Sequence, residues 1–206
     1  MLSRMSGLKK DQLWQQAAGA LDQEFQRLAG AGAQSLASLS ETELLARLIQ
    51  GEPTQIVQQK ALMLATLLCE AGEVAAAQHR GDESRTFYLK GLQLLLDTLA
   101  QGEISEYPSF GPKVEAFVCA LTDSPLPLTT QALLMQHYER AGEFAKAEDA
   151  LFAMLDAEPD QPGLVEFGLA FYQRLQGKSD AVLRSGNLPR PELEAGMEEL
   201  RLLIPT

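Results

Sequence analysis

The stretch QALLMQHYERAGEFAKAEDALFAMLDAEPD, Gln131 to Asp160, decides the fold. Apolar residues recur in it at helical spacing twice, over 131–141 and over 144–156. Between them, Ala141-Gly142-Glu143-Phe144 supplies a tight turn, so the two helices fold back on each other. Leu134, Met135 and Tyr138 share one face of the first helix. Ala147 lets the two backbones approach, Tyr138 and Leu151 fill the space between them, and Pro159 ends the pair.

The same period continues on both sides. Towards the C-terminus it predicts helices over 163–176 and 192–203, punctuated by Gly177 and by Asn187-Leu188-Pro189-Arg190-Pro191. Towards the N-terminus, residues 8–29 place Trp14, Ala17, Ala18, Leu21, Phe25 and Leu28 on one amphipathic stripe, stopped by Gly30-Ala31-Gly32. Ser40-Glu41-Thr42-Glu43 reads as a capping box opening a short helix over 41–49, closed by Gly51 and Pro53. The run 55–79 is apolar on most faces and reads as a core helix, with Gly72 as its weak point. Gly81-Asp82 ends it, and 83–100 is the second arm of an antiparallel hairpin. Residues 101–112, with two glycines and two prolines, read as a loop. A short helix over 112–121 follows, then Pro125 and Pro127 before a cap at Thr129 or Thr130. No run alternates with the period of two that a half-buried strand needs. The fold class is all-α.

Residues 131–164 resemble a tetratricopeptide repeat, whose 34-residue pattern sets leucine, a small residue and tyrosine on a first helix, then alanine, a large residue and proline on a second. With Gln131 in the first slot, Leu134, Tyr138, Ala147, Leu151 and Pro159 fit, while Met135 occupies the small slot. One period on, Tyr172 and Ala181 fit, but Gly168 stands for leucine, Ser185 for the large residue and Leu193 for proline. The second repeat therefore keeps its first helix and has a degenerate or replaced partner. The whole chain also resembles an uncharacterised bacterial family of tetratricopeptide-like proteins, through Leu39-Ser40-x-x-Glu43-Leu44, Ala147-Glu148-Asp149-Ala150-Leu151-Phe152, and Gly186-Asn187-Leu188-Pro189-Arg190 ahead of Glu192 and Gly196. The resemblance implies antiparallel hairpins stacked as a short right-handed solenoid, an N-terminal helical region over 1–53 and a repeat-like domain over 54–206. It implies no activity.

Charge narrows the partners. The 206 residues hold 28 acids and 17 bases, a formal charge of −11. A chain of that sign gains little from counterion release on a phosphate backbone, which argues against nucleic acid and against anionic membrane surfaces. Residues 1–103 carry 9 bases and 12 acids and residues 104–206 carry 8 and 16, so the acidity is concentrated in the repeat-bearing half. No uncharged apolar stretch approaches the roughly 18 residues of a membrane span, and the N-terminus lacks a signal-peptide core. Cys69 and Cys119 sit in apolar contexts outside any Cys-x-x-Cys pair and read as buried, reduced thiols. These features point to the bacterial cytoplasm.

Motifs for chemistry are weak. His137 has Leu133, Leu134, Arg140 and Ala141 at its helical neighbours, none of them a metal ligand, and His79 stands at a helix end, where the dipole favours it. Gly177-Lys178-Ser179 lacks the earlier glycine and the strand of a phosphate loop, and Gly30-x-Gly32 lacks the third glycine and the preceding strand of a dinucleotide site. Glu192, Glu194, Glu198 and Glu199 read as a solvated helix face. The sequence thus offers no catalytic residue, no cofactor site and no metal site, and reads as non-enzymatic.

The expected role is a protein-interaction or scaffold module. Slots not used for packing are Gln136, Glu139 and Arg140 on the first repeat and Glu166, Gln173 and Arg174 on the next. A groove of these residues suits a protein or peptide of basic and apolar character. The alternative is a structural homo-oligomer assembled through the first helix, with Trp14 as interface anchor and no external ligand.

Overall fold

The computed structural model describes residues 7–9, 13–49, 51–102, 107–108 and 111–203. Among them the regular structure is α-helical, with no strand. The helices are α1 (Trp14–Ala29), α2 (Ala33–Ala37), α3 (Glu41–Ile49), α4 (Thr54–Ala77), α5 (Gly81–Ala100), α6 (Val114–Ala120), α7 (Leu128–Ala141), α8 (Phe144–Ala157), α9 (Leu164–Gln176), α10 (Asp180–Ser185) and α11 (Arg190–Leu202). None of them is long and apolar enough to cross a membrane. The expected helix start at Leu8 runs through residues 10–12, which lie outside the described residues, as do 103–106 and 109–110 of the expected loop.

The chain parts into two compact units, residues 1–125 and 126–206. The division therefore falls at 125/126 rather than at the 53/54 expected from sequence, because α1 and α3 pack onto α4 within the first unit. The apolar stripe of α1 buries Ala17, Leu21, Phe25 and Ala29, one residue per turn. Gly30, at φ 68°, then ends the helix.

The hairpin of α4 and α5 is the centre of the first unit. Gly72 does not break α4. It is where α5 comes closest: an added Cβ would lie 2.9 Å from the Tyr88 ring, and the Ser84 hydroxyl donates to the Gly72 carbonyl at 2.8 Å. Lower down, Gly91 makes the same allowance for Phe117 of α6 and Leu68 of α4. The turn is made by Gln78-His79-Arg80 rather than by Gly81-Asp82, which already belong to α5. His79 takes the left-handed conformation (φ 60°), the Arg80 amide donates to the Ala75 carbonyl and the His79 amide to that of Ala76, both at 2.9 Å. The capping box of α3 is as read: the Glu43 amide donates to Ser40 Oγ at 3.3 Å and the Ser40 amide to Glu43 Oε2 at 2.8 Å. The Ser40 amide and, second, the Ser40 hydroxyl, both donating to Glu43 Oε2, hold the Glu43 carboxyl below its usual range. Helix α2 carries no periodic signal in its five residues. Its first amide is instead held by Asp22 Oδ1 of α1 at 2.9 Å.

In the second unit, α7 and α8 form the hairpin expected from 131–160. Leu134, Met135, Tyr138, Ala147 and Leu151 are all buried, and Gly142, at φ 78°, makes the turn. Helix α7 starts three residues earlier than expected and without a threonine cap: it opens after Pro127, whose missing amide costs nothing there. Helix α9 takes α11 as its antiparallel partner. Gly168 stands where a Cβ would meet Leu200 of α11 and Leu151 of α8, so the absent leucine is a close crossing of three helices. The short α10, capped by Ser179, fills the turn between α9 and α11. Its end docks on the α7–α8 turn, where the Ala145 amide donates to the Gly186 carbonyl at 3.0 Å.

One expectation for the cysteines is corrected. Cys119 is exposed, and Cys69 is only half-buried, though burial pushes its thiol up to about 12. Cys119 lies in the last turn of the seven-residue α6, which buries Val114 and Phe117 on one face and turns the cysteine away from it.

Candidate functional surface

Helices α7 and α9 supply all six groove residues named from sequence. Gln136, Arg140, Glu166, Gln173 and Arg174 are exposed and Glu139 is half-buried, because the packing slots beside them face inward. The structure brings Glu139 and Arg174 together across the two helices. Arg174 Nε and Nη2 donate to Glu139 Oε1 and Oε2, both at 2.7 Å, a bidentate pair. The bonds to Glu139 raise the arginine's pKa further. The Arg174 side chain is 49% exposed, so the pair contributes only about 0.2–1 kcal/mol. Arg140 Nε donates to the Gln136 carbonyl at 3.2 Å. Glu166 stands two turns from Arg174 on α9 and does not share this cluster.

Sequence reasoning missed the hollow between the N-terminal halves of the same two helices. Leu128 and Ala132 of α7, Met154 of α8, and Pro162, Leu164 and Phe167 at the start of α9 wall a notch of about 230 Å³. The sequence opens this helix at 131 and leaves Leu128 before its cap, and nothing local signals a notch between Leu128 and Leu164.

Behind this surface, Tyr172 Oη donates to Glu148 Oε1 at 2.5 Å. Gly196 of α11 makes the room: a Cβ there would sit 2.2 Å from the tyrosine oxygen and 2.8 Å from Glu148 Oε1. Burial, opposed by the tyrosine bond, lifts the Glu148 carboxyl above its ordinary range, with Asp149, Glu192 and Glu199 adding repulsion. Burial and that carboxylate also push the Tyr172 phenol up. The pair joins α8 to α9.

Trp14, named as an interface anchor, is half-buried at the start of α1, where it borders an open hollow with Leu13, Ala77, Gln78 and Arg80. A second hollow of about 520 Å³ in the first unit lies between α1 and the α4–α5 hairpin, with Asp22, Arg80 and Glu83 among its walls. Arg80 is already held by Glu83 and Gln78. Among the described residues no group of three or more His, Cys, Asp or Glu is gathered as a metal ion would require. His137 lies beside the Tyr138 ring at 5.6 Å, and Lys178 of Gly177-Lys178-Ser179 lies over the Phe144 ring.

Residues 39–204 match a family of unknown function (DUF6483). No curated protein and no solved structure matches the chain. The matched span contains every helix of the second unit and the notch, whereas α1 and α2, which form half of the 520 Å³ hollow, lie outside it.

Proposed function

We propose, from the premise that this chain belongs to the DUF6483 family of unknown function, that it is a non-enzymatic interaction or scaffold module whose working surface is the face of α7 and α9. In this reading the second unit is a tetratricopeptide-like pair of stacked hairpins, a short right-handed solenoid at work in the cytoplasm. The observation that carries it is the division of labour along α7 and α9. Leu134, Met135 and Tyr138 on one helix, and Phe171, Tyr172 and Leu175 on the other, are buried. Gln136, Arg140, Gln173 and Arg174 between them are exposed and form no part of the core. A scaffold that presents exposed polar side chains in register suits recognition of another chain. The acid excess of residues 104–206 favours a partner of basic and apolar character over nucleic acid or an anionic membrane.

Affinity capture with quantitative mass spectrometry tests it, using wild type beside Arg140→Glu and Arg174→Glu. Both arginines are exposed, so the variants keep the fold and should lose one and the same partner set by about tenfold. Equal recovery of every captured protein by all three would overturn the assignment of this surface.

The homo-oligomer reading has less to draw on. Its apolar stripe is spent inside the first unit, on Ala17, Leu21, Phe25 and Ala29, and leaves an exposed Leu13 and a half-buried Trp14 at α1's start.

A further inference from the structure

We infer that the notch between α7 and α9 is the anchor pocket of that surface, and that it takes one large apolar side chain of a lysine- or arginine-rich amphipathic segment of a partner protein. The inference rests on the interaction reading above and specifies its partner.

Size comes first. At about 230 Å³ the notch is smaller than the roughly 300–1,000 Å³ of sites that enclose a metabolite, and suits a side chain. Its lining is mostly apolar, with Leu128, Ala132, Met154, Pro162, Leu164 and Phe167, and Thr129 and Gln161 are its polar members. Of the apolar residues, Met154 and Leu164 form a buried floor, while Leu128, Ala132 and Phe167 are half-exposed and Pro162 is exposed. The notch is therefore open to solvent and mostly apolar inside, the form of a pocket that receives a hot-spot residue.

Charge then selects the occupant. The segments that wall the notch lie in 128–132, 154 and 161–167. No lysine or arginine occurs over 114–139 or over 147–173. Acids do occur: Asp156 and Glu158 at the end of α8, Asp160 beside Gln161, and Glu166 beside Phe167, all four exposed. None of the four carboxylates is held by a base among the described residues. A mostly apolar notch whose walling segments carry exposed acids and no bases in the neighbouring sequence disfavours an acidic peptide and favours one whose apolar anchor is flanked by bases. A second copy of this chain is disfavoured by the same charge, since residues 104–206 carry twice as many acids as bases.

The test uses the full chain and three fluorescein-labelled 18-residue peptides, followed by anisotropy in about 0.1 M salt. One has leucines at helical spacing on one face and lysines elsewhere. The second has the same composition with the leucines dispersed, and the third has glutamate for lysine. The first should bind about tenfold or more tightly than either of the others. Ala132→Trp fills the notch from a half-exposed helix position and should weaken binding of the first peptide about tenfold. Thr129→Lys, on the exposed rim, touches no packing and should weaken it several-fold.

Equal affinity for the first two peptides, preference for the glutamate peptide, or full affinity in both variants would overturn the inference. So would a concentration-dependent dimer that Ala132→Trp abolishes, which would give the notch to a second copy. Binding that survives the notch variants but falls in Arg140→Glu would overturn the notch and leave the wider surface standing. Loss of partner capture by neither arginine variant would overturn that wider surface instead.

Discussion

At the scale of single residues, glycines mark where helices touch. Gly72, Gly91, Gly168 and Gly196 lie inside helices, where glycine costs about 0.5–1 kcal/mol against alanine, and each occupies a crossing that a Cβ would block. Gly196→Ala should therefore destabilise the chain by about 1–3 kcal/mol in urea unfolding, because Tyr172 and Glu148 are bonded to each other and cannot retreat independently. Gly19 is the contrast: it lies on α1 with nothing within 4 Å of an added Cβ, and Gly19→Ala should stabilise by about 0.5–1 kcal/mol. A loss at Gly19 comparable to that at Gly196 would refute the crossing argument. Glu148 adds a pH dependence. Its carboxyl binds protons more tightly folded than unfolded, so its contribution to stability falls as pH rises from the ordinary carboxylate range through its raised value. Glu148→Gln keeps an acceptor for Tyr172 and removes that titration. The melting temperature of the variant relative to wild type should then rise between acid and neutral pH, and a flat difference would show that Glu148 titrates normally.

At the scale of elements, three helices end alike. After α4, α7 and α10 a residue in the left-handed conformation sends its own amide and the next one back onto the preceding turn: His79, Gly142 and Asn187. Gly142 and Asn187 are residues that adopt this conformation readily, and both are legible as helix ends. His79 is not, since a histidine there carries the Cβ penalty, and the sequence signal moved to Gly81-Asp82. Those two residues open α5, with Asp82 and Glu83 in its first turn, where acids suit the dipole. His79→Gly should relieve the strain and raise stability by about 1 kcal/mol, read as an increase of a few degrees in melting temperature. Unchanged or lowered stability would mean that the imidazole makes a compensating contact. Pairing of elements was less legible than their existence. That α9 would find its partner in α11, past the intervening α10, follows from Gly168 and Gly196 accepting Leu200 and Tyr172, and no local pattern announces a glycine as a crossing rather than a break.

At the scale of the molecule, charge acts on everything at once. A formal −11 on 206 residues produces self-repulsion that screening weakens as the Debye length falls from about 30 Å at 0.01 M salt to about 8 Å at 0.15 M. The melting temperature should rise over that range, whereas a fall would mean that exposed pairs such as Glu139–Arg174 and Asp180–Arg190 outweigh the repulsion. The sequence by itself determined the all-α class, most helices to within a few residues, the α7–α8 hairpin and the acid excess, because each depends on local period, caps and turns. The tertiary structure alone decided the division at 125/126, the five-residue α2 held by Asp22, the pairing of α9 with α11, the Glu139–Arg174 pair and the notch between the N-terminal halves of α7 and α9. Those depend on which surfaces meet across long separations, and on where two helices fail to cover one another, which no local spacing records.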